Sequence, residues 1–175
     1  MGVIKSIFII QFIIVFSING CLGQENIHQE VDLLVQKERK DDNKLFEKFK
    51  KYGKDAIPYL INVIDKNEKG FLGFRDSTSA TLYLFNYNYV GLRAAYMIEL
   101  ILANSNDTKI YKYGVIVKKE QNQPQMTSLS LKDMKELKSI YEKWWDRNKL
   151  KSLSELSKEW KEHSQILVGS NYVWK

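Results

Sequence analysis

Gly91–Ala103 reads GLRAAYMIELILA. No proline interrupts it, and its apolar residues cover nearly every side of a helix rather than one stripe. A helix that is apolar all round belongs at the centre of a fold. The stretch therefore predicts a buried central helix around which the other segments wrap. Its charged residues are Arg93 and Glu99. At helical spacing Glu99 has Ala95, Tyr96, Leu102 and Ala103 as neighbours, so it has no polar face of its own. A carboxylate taken out of water needs a partner. Arg93 and Arg75 are the cations assigned to it, as a structural ion pair. The sharper alternative is an acid at a working site.

Working toward the N-terminus, Asp42–Tyr52 predicts a helix with Leu45, Phe46 and Phe49 on one side, stopped by Gly53. Asp55 is placed to cap a second helix, with Pro58 in its first turn, where a missing N–H does little harm. Ile57, Leu60, Ile61 and Ile64 form its expected buried face. This pair resembles a HEAT-type helical hairpin over about residues 42–66, and no second copy follows at a fixed period. Phe71–Tyr89 is open between a loop entering a helix and a short strand.

Toward the C-terminus, Asn104–Thr108 ends the central helix, and Lys109–Lys119 (KIYKYGVIVKK) predicts a strand. Glu120–Thr127, containing Pro124, is a polar connection. Ser130 with Asp133 marks a helix start, and Leu131, Met134, Leu137, Tyr141, Trp144 and Trp145 share one arc of a helix ending near Asn148. Ser152 with Glu155 makes a capping box for a last helix whose inner face is Leu153, Leu156 and Trp160. Ile166–Trp174 is extended and apolar and is expected to lie back over the core. The fold class is mainly α: one HEAT-like helical-hairpin domain with a minor strand element around 109–119.

The first twenty residues have a different character. Lys5 precedes an apolar run from Ser6 to Phe16, broken only by Gln11, and Ser17, Asn19 and Gly20 follow. The run is shorter than the roughly 20 residues that span a bilayer, so it predicts a signal peptide. Cys21, the sole cysteine, comes next. The junction Ile18-Asn19-Gly20-Cys21 resembles a bacterial lipobox, with Ile18 and Gly20 matching and Asn19 departing from it. The resemblance implies cleavage after Gly20 and acylation of Cys21 by diacylglycerol and palmitate-like chains. Several chains anchor a protein stably where one does not. The alternative is an ordinary secretory signal that leaves a free thiol. The expected division is 1–20 signal peptide, 21–40 lipidated N-terminus and tether, and 41–175 helical domain.

Export bears on the charge. The net charge is +6, of which Lys5 leaves with the leader. A basic protein delivered to the envelope has no nucleic-acid partner to meet. Its lysines read as a solvated surface or as the complement of an acidic partner. No cofactor is expected and no metal, since the candidate soft ligands are His28, His163 and the acylated Cys21. No catalytic residue is assigned. His163 lacks the glycine-flanked serine turn of a hydrolase, and Gly70–Gly73 lacks the Lys-Ser/Thr of a phosphate loop.

Layout and address are similar to those of immunity lipoproteins that neutralise periplasmic toxins. The expected function is a lipid-anchored envelope protein that binds a protein partner and is not an enzyme. It would face the periplasm from the cell membrane or the outer membrane. The alternatives are a structural or accessory lipoprotein of envelope assembly, and a glycan-directed hydrolase using carboxylates that sequence cannot pair.

Overall fold

The computed structural model describes residues 26–35, 42–66, 90–104, 116–119, 129–162 and 166–174. The leader, Cys21, Arg75, His163, the Phe71–Tyr89 stretch, residues 109–115 of the expected strand and the Pro124 connection lie outside these residues.

Residues 26–35 form helix α1. Ile27, Val31 and Leu34 recur at helical spacing and are buried in the common core. The helix therefore packs with the domain, although the sequence reading assigns 21–40 to the tether. Helix α2 is Asp42–Tyr52, with Leu45, Phe46 and Phe49 buried as expected. Glu30 of α1 pairs with Lys48 of α2.

Gly53 takes a φ of 55° and turns the chain out of α2. The next four residues, Gly53–Ala56, form a 3-10 turn that runs directly into α3, Ile57–Asn62. Asp55 does not cap α3. The N-cap is Ala56, which itself has helical φ and ψ, and no side chain caps it. An N-cap side chain reaches back only from an extended backbone, and this junction has none. Pro58 does sit in the first turn, and Ile57, Leu60, Ile61 and Ile64 are buried.

Helix α4, Val90–Ala103, is buried along its whole length, as its composition requires. Helices α2 and α3 pack on it. Its first turn lies so close to the end of α3 that a Cβ on Gly91 would stand 1.9 Å from the Ile64 carbonyl oxygen. Asn104, with a φ of 46°, ends the helix in the left-handed region that asparagine tolerates.

Helix α5, Leu131–Asn148, begins with a complete capping box between Ser130 and Asp133. Met134, Leu137 and Tyr141 are buried, and Trp144 and Trp145 pack half-buried at the core edge. Leu131 departs from the expected arc: it is 47% exposed. It occupies the first position of the helix, before the chain has turned its apolar side onto the core. Lys138 of α5 meets the Asn62 carbonyl and Asp65, while Lys54 lies over the Trp145 ring, so α5 runs antiparallel to the 3-10 turn and α3.

Helix α6, Leu153–Glu162, packs against α4 and opens with the Ser152–Glu155 box, both halves of which are made. A turn at 166–169, with Gly169 at a φ of 79°, then leads into strand β2, Tyr172–Trp174. It pairs antiparallel with β1, Ile116–Lys118, in the register Ile116↔Trp174 and Lys118↔Tyr172. The result is a mainly α-helical single domain with a small antiparallel ladder at the α5 N-terminal end.

Candidate functional site

Glu99 is wholly buried, and side chains from three other elements close on it. The Tyr141 hydroxyl of α5 donates to Oε1 at 2.8 Å, and the Trp174 indole of β2 donates to the same oxygen at 3.2 Å. The Trp160 indole of α6 donates to Oε2 at 2.5 Å. Trp174 is held in turn by an edge contact with Tyr96 of α4, ring centroids 5.5 Å apart. An indole N–H can only donate, so both carboxylate oxygens meet groups that suit an acceptor. Hydrogen bonds of this kind offset the cost of burying the carboxylate.

The sequence reading assigned Arg93 and Arg75 to Glu99. Arg93 is buried on α4, six residues earlier and about a third of a turn away in angle. Arg75 lies outside the described residues. The reading missed Tyr141, Trp160 and Trp174. A signal for them existed: a buried Trp or Tyr needs an acceptor for its polar end, and Glu99 is the one acid among the apolar residues of α4.

A second cluster gathers on Asp133. Its Oδ2 accepts from the Ser130 N–H at 2.9 Å and from the Ser130 hydroxyl at 2.6 Å. Its Oδ1 lies 2.9 Å from Lys118 Nζ and 3.0 Å from the Tyr172 hydroxyl. Burial alone would raise this carboxyl, but the bonds from Ser130, Lys118 and Tyr172 together hold it well below the usual range. Tyr172 moves the other way. Burial first, then the Glu136 and Asp133 carboxylates, push its phenol well above its ordinary value, so it stays a donor. Held low in this way, the Asp133 carboxylate is ionised near neutral pH. It clamps the β1–β2 ladder to the start of α5.

Of the remaining sequence candidates, His28 is exposed on α1, with its ring edge-on to Tyr59 at 4.6 Å. Among the described residues no three His, Cys, Asp or Glu side chains converge to hold a metal ion. Also among them, no helix is long and apolar enough to cross a membrane.

Fold and clusters define the class as a mainly α-helical domain in which Glu99, wholly buried among the described residues, is bonded by aromatic side chains from α5, α6 and β2. Comparison of the chain with protein families, with curated proteins and with solved structures gives no match.

Proposed function

We propose that this chain is a lipid-anchored protein of the bacterial envelope that acts by binding a protein partner, as an immunity protein neutralising a periplasmic toxin. The observation that carries the address is the junction Ile18-Asn19-Gly20-Cys21 at the end of an apolar leader, with the sole cysteine where an acyl acceptor is needed. Two structural facts support binding over hydrolysis. Glu99, the acid that stood apart in the sequence, has no solvent exposure and both oxygens occupied. Asp133 is committed to a helix cap and a strand clamp. A HEAT-like hairpin of α2 and α3 would offer a helical surface to the partner.

The test is lipid labelling. Wild-type chain grown with labelled fatty acid should take up label and partition into the detergent phase. Cys21→Ala should take up none and leave the membrane fraction or remain uncleaved. Equal labelling of the two would sink the lipoprotein reading. The immunity part expects a toxin gene directly upstream, whose exported product is neutralised when this chain is co-expressed.

A further inference from the structure

The end of the molecule where α2 finishes carries an unusual combination. Two turns face each other there. One reads KKYGKD, Lys50–Asp55, and the other DRNKLK, Asp146–Lys151; each has three cations to one acid. They are brought together by Lys54 over the Trp145 ring, 5.9 Å from its centroid, and by Leu153, whose Cδ2 would stand 3.3 Å from a Cβ on Gly53. Within the second turn Lys149 pairs with Asp146, Lys151 pairs with Glu159, and Glu155 is drawn in by Ser152, so this end carries six cations against the four acids Asp55, Asp146, Glu155 and Glu159. Cations at the ends of α2 and α5 also suit the helix dipoles, but Leu150 has no such explanation. It is 96% exposed between two lysines, just after the turn of α5 that carries the half-buried pair Trp144 and Trp145. Interfacial aromatics, an apolar side chain presented to solvent and a ring of cations are the features that seat on an anionic bilayer surface.

The position of the chain's start ties this end to the membrane. His28, in the first turn of α1, packs edge-on to Tyr59 in the first turn of α3, which follows the 3-10 turn directly, so the beginning of α1 lies at this end of the molecule. Asn26 comes five positions after Cys21, a span that covers no more than about 18 Å. Helix α5 is about 27 Å long at 1.5 Å per residue, so the β1–β2 end is out of reach of an anchor so short unless the molecule lies flat.

We infer that the surface formed by the 3-10 turn and the α5–α6 turn, centred on Lys54, Trp145 and Leu150, docks on anionic lipid headgroups and fixes the orientation of the domain on the bilayer. This rests on acylation of Cys21 as proposed above. It goes beyond that reading because a tethered domain need have no preferred face. Each cation seated at an anionic surface contributes about five-fold to occupancy. The ladder, with Val168 exposed in the turn beside it, then points away from the membrane, where a soluble partner can reach it.

The experiment uses the full acylated chain in vesicles. Cys21 is the sole cysteine and is blocked when acylated, so Leu150→Cys or Val168→Cys supplies the one free thiol for an environment-sensitive dye. Phosphatidylcholine vesicles with or without about a third phosphatidylglycerol carry a headgroup-depth quencher. With phosphatidylglycerol, the dye at 150 should be quenched and the dye at 168 should not. Omitting phosphatidylglycerol, or adding Lys54→Glu with Arg147→Glu, should abolish quenching at 150 while the chain stays vesicle-bound by its acyl groups. A vesicle-bound chain whose dye at 150 remains aqueous, whose dye at 168 is the quenched one, or whose quenching ignores lipid charge and the two substitutions overturns the inference. Mass spectrometry showing an unacylated Cys21 overturns the lipoprotein reading itself, and this inference with it.

Discussion

Replacing Glu99 by glutamine keeps the shape of the side chain and tests what the carboxylate does. The amide oxygen can occupy the Oε1 place and keep the bonds from Tyr141 and Trp174. The NH2 group then points at the Trp160 indole N–H, 2.5 Å from the Oε2 position in the wild type. Donor faces donor. The loss is one bond to a charged acceptor, worth about 1.5–3 kcal/mol, with a buried indole N–H left unsatisfied. We expect Glu99→Gln to cost about 3 kcal/mol, which at this chain length lowers the melting temperature by about 6–12 °C. Thermal melts by far-ultraviolet circular dichroism measure it. The sharper test is a double-mutant cycle with Trp160→Phe. In the wild type, Trp160→Phe removes a good bond and destabilises. In the Glu99→Gln background it removes the clashing N–H, so its cost should shrink by about 1 kcal/mol or more. Equal cost in both backgrounds would refute the account of Glu99 as an acceptor for Trp160. An unchanged melting temperature for Glu99→Gln, together with loss of an envelope-hydrolysis activity, would show that the acid works rather than holds.

Two other perturbations read separate parts of the fold. Gly91→Ala places a Cβ 1.9 Å from the Ile64 carbonyl and 2.8 Å from Met134 Cε, and backbone cannot yield as a side-chain tip can; we expect a loss of more than about 3 kcal/mol, read by urea denaturation, and a melt within a degree or two of wild type would contradict the α3–α4 contact. Asp133 is held below its ordinary value in the folded chain, so its contribution is complete above the unfolded value near 3.9 and is lost as the pH falls below it. Wild-type stability should therefore drop below about pH 4, and Asp133→Asn should be less stable at pH 7 with a shallower acid limb; parallel limbs would refute the clamp.

Helices α2, α4, α5 and α6 were legible in the sequence because period and punctuation agree in each. Gly53 stops α2, Ser130 and Ser152 open α5 and α6, and α4 is apolar on every side. Where local rules failed, the chain did something those rules do not weigh. Asp55 has cap chemistry, but the 3-10 turn passes into α3 without the extended residue a cap requires. Leu22–Gln29 reads as tether and the apolar cluster at Val31, Leu33, Leu34 and Val35 admits a helix after it, yet α1 starts earlier, and Ile27, Val31 and Leu34 seat one face on the core. Asp133 was readable as a cap; its grip on Lys118 and Tyr172 was not, since it depends on the register of two strands far apart in the chain. Glu99 is legible as an acid without a polar face, but its bonds to Tyr141, Trp160 and Trp174 are not, since they come from elements far along the chain.

The separations on Glu99 carry a consequence for how the domain completes itself. Its donors lie 42, 61 and 75 residues further along the chain. Helix α4 can form from local contacts, but the bonds from Tyr141, Trp160 and Trp174 wait for α5, α6 and finally β2 to arrive. Closing loops of that length costs entropy before the contacts repay it. Until Trp174 reaches Oε1 and Trp160 reaches Oε2, burying α4 leaves a charged group without its full set of bonds, which opposes premature collapse of the core. The residues that finish the hydrogen bonding of Glu99 are also those that align β2 on β1, because Trp174 pairs with Ile116 in the ladder while its indole reaches the acid. A slip of one residue would turn Trp174 to the other face of the strand. The buried acid thus sets the register of the C-terminal strand as well as joining the helices. That requirement gives a physical reason for a carboxylate, rather than a leucine, at the centre of an otherwise apolar helix.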